Sequence, residues 1–152
     1  MNRSDIERLL VEALRVTKHH DFVIIGSLSV LGAVERPPDA MTGSIDVDLY
    51  PKADPGRASE VASALGFGSP FERQYGYYAD AVSPMLPTLP ERWQARLVEV
   101  AFASGVGGFS IPMMLQSPNM CADRRATARG FAQVWRRVFC RWQTSNTGCA
   151  KR

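Results

Sequence analysis

Cysteine is scarce in this chain, and the few present exclude two classes of protein. Cys121, Cys140 and Cys149 are odd in number, widely spaced and form no C-x-x-C pair, which argues against a zinc site and against a disulfide framework. We read them as free thiols. No apolar run approaches the roughly 18 residues of a membrane-spanning helix. The first twenty residues carry charges in a helical pattern instead of the apolar core of a signal peptide, so a cytoplasmic protein is the expectation. Histidine is limited to His19 and His20, at the predicted end of a first helix, where the partial negative charge favours imidazolium. Helix-end capping is their expected role, and histidine acid–base chemistry is not expected. Acids are nearly missing from the end of the chain. Residues 1 to 120 hold ten Lys/Arg against fourteen Asp/Glu, whereas 121 to 152 hold eight against one, so the formal charge runs from −4 to +7.

What is present fits one globular domain: 152 residues, 45% of them apolar and 22% charged, are enough to bury a core. Ser4 with Glu7 reads as a capping box, and Ile6, Leu9, Leu10, Ala13 and Leu14 form the apolar stripe of a first helix. Phe22 to Ile25 is a β-branched run suited to a strand buried on both faces. Gly26-Ser27 ends it, and Leu28 to Val34 is helix-compatible. Pro37-Pro38 breaks the chain into a loop, after which Ser44 to Leu49 is a second strand. Asp54 as N-cap, Pro55 at the first helical position, Val61 and Leu65 inward and Gly66 as stop predict a further helix. Tyr75 to Val82 and Arg96 to Phe102 read as two more strands, joined by a connection holding Pro84, Pro87 and Pro90. The fold class expected is α/β (α+β): a small mixed sheet with flanking helices.

The stretch from Phe22 to Pro51 carries the chemistry. In an extended segment side chains alternate, so Asp46 and Asp48 share a face while Val47 enters the core. Their mutual repulsion costs free energy unless a cation sits between them, and oxygen ligands at this separation suit Mg²⁺ or Mn²⁺. Upstream, the Ser27 hydroxyl and the free amides after Gly26 are placed at a helix N-terminus, which binds phosphate. Two solvated aspartates and a plain Ser27 N-cap are the plainer alternative. The turn and the carboxylates together favour a phosphate-and-metal site.

Gly26-Ser27, eighteen intervening residues and Asp46-Val47-Asp48 resemble the nucleotidyltransferase fold of the DNA polymerase beta superfamily. The run Ser44 to Pro51, the strand Gly76 to Val82 and the segment Leu89 to Val98 are similar to a group of small bacterial nucleotidyltransferase-like domains. That superfamily also includes the toxin halves of abortive-infection toxin–antitoxin pairs. The resemblance covers roughly residues 1 to 105, and we set the domain at 1 to 115. It implies a nucleoside triphosphate (NTP) as substrate, Gly26 and Ser27 as nucleotide-binding residues, and Asp46 and Asp48 as catalytic metal ligands. It also implies an RNA or protein hydroxyl as acceptor, with an antitoxin as a further partner.

Such a site takes a third carboxylate from a neighbouring strand, and Asp80 and Glu99 compete for the place. Asp80 is favoured, because it lies in the segment that matches the family pattern and because an unpaired acid among aromatic residues is costly unless it faces a metal. Glu99 alternates with Val98 and Val100 and is expected to point away from the core. Tyr77 and Tyr78 straddle the two faces, so one is positioned to stack on a base, although packing is the commoner fate of a strand tyrosine. Trp93 and Arg96 read as structural.

Residues 116 to 152 form a basic tail that admits two readings. Phe131, Val134, Trp135, Val138, Phe139 and Trp142 follow helical spacing among arginines, the pattern of a basic amphipathic helix that binds RNA, a membrane surface or an acidic partner. A reading-frame shift in a GC-rich gene produces the same composition. The resemblance implies a helix beginning H-D-L-x-x-S-K-L after the strands and then a G-R-x-K-D run that supplies a lysine and an acid. This chain has Pro118 to Arg124 in place of that helix start, and no G-R-x-K-D run. Two functional classes stand: a metal-dependent nucleotidyltransferase, possessing a toxin's activity or not, and an inactive nucleotidyltransferase-fold module that binds nucleotide or a partner.

Overall fold

A computed structural model describes residues 1–85, 93–104 and 109–110, all within a compact unit that spans Met1–Met113. The basic tail and most of the proline-rich connection lie outside the described residues. Helix α1 spans Arg3–Thr17, with Ile6, Leu9, Leu10, Ala13 and Thr17 buried. Its capping box is Asn2 with Asp5, not Ser4 with Glu7. The Asn2 side chain accepts from the Asp5 amide at 3.1 Å, and the Asp5 carboxylate accepts from the Asn2 amide at 2.9 Å. The same reciprocal logic holds two residues earlier, because Asn and Asp supply it as well as Ser and Glu. At the other end Lys18 takes the left-handed conformation, and the Arg57 guanidinium donates to the Thr17 carbonyl. That arginine does the work expected of the histidines.

Among the described residues one mixed sheet carries five strands in the order β3-β2-β1-β5-β4. They are β1 (Phe22–Ile24), β2 (Asp46–Pro51), β3 (Tyr78–Ala81), β4 (Leu97–Val98) and β5 (Phe109–Ser110). Strand β2 runs antiparallel to β1, with Val23 opposite Tyr50 and Ile24 opposite Leu49, and parallel to β3. It begins two residues later than the hydrophobic pattern indicates and runs through Leu49 into Pro51. Strand β4 is two residues long where a strand from Arg96 to Phe102 is expected: Arg96 ends a tight turn of helix at Trp93–Arg96, and residues 99 to 102 are not in a strand.

The helices follow the sheet. After a turn at Ser27–Ser29 comes α2 (Val30–Ala33); after a turn at Pro55–Arg57 comes α3 (Ala58–Leu65), which packs against α1, β2 and β3. Helix α4 (Pro70–Tyr75) is not expected from sequence and takes Tyr75, the first residue of the expected strand, which as β3 begins at Tyr78. Ser69 caps it by accepting from the Glu72 amide, and Gly76, at φ 77°, closes it in the left-handed region. Val47, Leu49 and Ala79 are fully or almost fully buried, while Val23, Ile25 and Tyr50 join Ala58 and Trp93 in a smaller buried cluster. Burying each large apolar side chain stabilises by about 1.5–3 kcal/mol, so both faces of β1 are fixed by packing. No helix of the described residues is long and apolar enough to cross a membrane.

Candidate functional site

Packing of Val47 and Leu49 beneath the sheet forces Asp46 and Asp48 onto the opposite face, where both are half-buried. The parallel register then sets Asp80 directly beside Asp48, and Tyr78 beside Asp46. Residues paired in this way share a face, so the three carboxylates converge. One oxygen from each lies within 4.8 Å of the others. Asp80 is exposed, so burial cost, the argument that favours it from sequence, is not what places it; the register is. Glu99 follows β4 and pairs with Lys52 at 3.5 Å, both exposed.

Three carboxylates this close repel one another. Burial first, then the charges of Asp46 and Asp80, push the Asp48 carboxyl up from its ordinary 3.8 to about 6. The Ser44 hydroxyl donates to Asp46 Oδ1 and orients that carboxylate. An all-oxygen, triply acidic donor set free of His and Cys is the chemistry of a hard divalent cation such as Mg²⁺ or Mn²⁺. Asp46, Asp48 and Asp80 therefore fit such an ion.

The Gly26-Ser27 turn closes onto this group. Gly26 has φ 74°, and a Cβ built on it would lie 1.9 Å from Asp48 Oδ2. Only glycine lets the backbone approach the carboxylate so closely. The Ile25 amide donates to the Asp48 carbonyl at 2.9 Å and locks the end of β1 to β2. Ser27 is exposed, but it is not the N-cap. Gly26 holds that position, and the Ser29 hydroxyl donates to the Gly26 carbonyl at 2.6 Å. The helix beyond is also shorter than the apolar run from Leu28 to Val34 implies, because Ser27–Ser29 forms a tighter turn before α2. This leaves the Ser27 hydroxyl exposed and without a side-chain hydrogen bond among the described residues, one residue beyond the glycine that abuts Asp48.

Of the two tyrosines, Tyr77 is structural. It is buried edge-on against Phe71, donates to the Asp5 carbonyl at 3.0 Å and accepts from Arg8 at 3.2 Å. Trp93 is buried in the smaller cluster, as its reading from sequence has it. Ser44 and the contact between Gly26 and Asp48 are the site features that sequence reasoning misses. The serine's place two residues before Asp46 is the one local signal.

A family model described as "Nucleotidyltransferase of unknown function (DUF6036)" matches residues 4–109. No curated protein and no solved structure matches the chain. The matched segment contains the turn and all three carboxylates, and the chain belongs to this nucleotidyltransferase family.

Proposed function

We propose that this member of a nucleotidyltransferase family is a metal-dependent transferase that moves a nucleoside monophosphate from an NTP to a hydroxyl of RNA or protein. One observation carries the reading: the carboxylates of residues 46, 48 and 80 converge at the point where Gly26 brings a phosphate-compatible turn against Asp48. Asp46, Asp48 and Asp80 would hold Mg²⁺ or Mn²⁺. When bound, the ion supplies the positive charge that a triphosphate and its leaving pyrophosphate need. The Ser27 hydroxyl donates to a terminal phosphate oxygen. The acceptor oxygen forms a bond to the α-phosphorus, the bond from that phosphorus to the β-bridging oxygen breaks, and pyrophosphate departs. The exposed Asp80 is the trio member most open to the acceptor's proton. This chemistry is positioning and charge screening, so it requires no histidine.

The second reading, a domain that holds nucleotide without turning it over, draws on one observation. Among the described residues no Lys or Arg forms an ion pair with the trio, whereas phosphoryl transfer draws on positive charge placed against the phosphates. Incubation with each of the four α-³²P-labelled NTPs, Mn²⁺ and total RNA or protein separates the two. Label in an acceptor, lost in the Asp46→Asn/Asp48→Asn variant, supports the transferase. NTP binding with no transfer supports the binding module. The cellular role that the resemblance brings to this reading is the toxin half of a toxin–antitoxin pair, tested by growth arrest that the same variant relieves.

A further inference from the structure

The trio has two flanks. On the β1 side lies the Gly26-Ser27 turn; on the β3 side Tyr78 stands in register with Asp46 and so on the carboxylate face. Tyr78 is half-buried, and its hydroxyl makes no hydrogen bond among the described residues. Its ring meets Phe67 at a centroid separation of 5.6 Å and 73° between planes. Phe67 is 81% exposed, an unusual state for a phenylalanine that the chain holds firmly. It sits between Gly66, whose amide donates to the Ala62 carbonyl at 2.9 Å, and Gly68, whose amide donates to Glu72 and whose carbonyl accepts from Arg73. A hydrogen-bonded turn thus presents an aromatic ring to solvent against Tyr78, the neighbour of Asp46 in the register.

A triphosphate whose far end is held at Ser27 and whose α-phosphate lies at the trio directs its nucleoside away from Ser27, towards β3. We propose that Phe67 and Tyr78 form the nucleobase platform of the site, with Phe67 offering the stacking face and Tyr78 bracing it edge-on. The inference rests on the nucleotidyltransferase reading above. Aromatic stacking accepts any base, since every base has a π-face. The platform therefore contributes affinity and leaves base choice open.

The test is calorimetric titration of the full-length chain, in Mn²⁺, with ATP, GTP, CTP, UTP and inorganic tripolyphosphate. The wild type should bind at least one NTP more tightly than tripolyphosphate. Phe67→Ala should weaken that NTP about tenfold, the scale of one lost stacking contact, and leave tripolyphosphate unchanged. Phe67→Trp should retain NTP affinity and show indole quenching with the NTP but not with tripolyphosphate. Because Phe67 is mostly exposed, neither substitution threatens the fold. NTP binding by Phe67→Ala equal to wild type, or an equal loss for tripolyphosphate, overturns the platform while the phosphate site stands. Wild-type binding of neither ligand overturns both.

Discussion

Replacing Asp48 by Asn should stabilise the metal-free protein at neutral pH, against the usual direction for a substitution in a half-buried strand. The Asp48 carboxyl rises from 3.8 to about 6 in the folded state because burial and the charges of Asp46 and Asp80 oppose its ionisation. A raised carboxyl pKa means that the folded protein binds the proton more tightly than the unfolded chain does. Its contribution is therefore most favourable below about pH 4 and is lost as pH rises through about 6. Between those values proton affinity changes by roughly a hundredfold, on the order of 3 kcal/mol before screening. The carboxyl is only half-buried, and solvent screening reduces the usable figure to about 1 kcal/mol. For a chain of this length that corresponds to a Tm difference of about 2–4 °C. Thermal melts of wild type and Asp48→Asn in EDTA from pH 4 to 8 read this out as a difference, which cancels the carboxylates outside the trio. The curves should meet near pH 4 and separate above pH 6, with the variant higher. Parallel curves, or a variant less stable at pH 7, refute the repulsion account.

Three other perturbations bear on the fold and the site. Gly26→Ala must place a Cβ 1.9 Å from Asp48 Oδ2 at φ 74°, so it should lose about 1–3 kcal/mol in urea melts and weaken Mn²⁺ binding. Wild-type values for both would show that the turn does not abut the carboxylate. Ser69→Ala removes the oxygen that accepts from the Glu72 amide at 3.1 Å and should cost about 1 kcal/mol, whereas no change would count against α4. We propose that the sheet domain folds without the basic tail, so a chain ending at Met113, the limit of the compact unit, should melt cooperatively. Loss of cooperativity would make the tail integral.

Much of the site was legible from local pattern. Alternation along Ile45 to Leu49 gives the shared face of Asp46 and Asp48, since a buried Val47 leaves no other arrangement. The choice of Asp80 over Glu99 came from motif position, and the structure places Asp80 by a parallel register that no local pattern encodes. Its exposure shows that the burial argument was wrong. The strand propensity of Tyr75 starts the expected strand too early, because Tyr75 ends α4. The Ser69-Pro70-x-Glu72 start and Gly76 stop outweigh that propensity. Strand β5 at Phe109–Ser110 offers too short a run to recognise. The approach of Gly26 to Asp48 joins residues far apart in the chain, so sequence shows the glycine without its reason.

The central claim is that Asp46, Asp48 and Asp80 hold a divalent cation beside a triphosphate. Calorimetric titration of Mn²⁺ with ATP into wild type and into Asp46→Asn/Asp48→Asn at pH 7.5 tests it most directly, at a pH where the elevated Asp48 is ionised. The account predicts saturable binding by the wild type, weakening below about pH 6 as Asp48 takes up its proton, and none by the variant. Equal binding by the two proteins would contradict it.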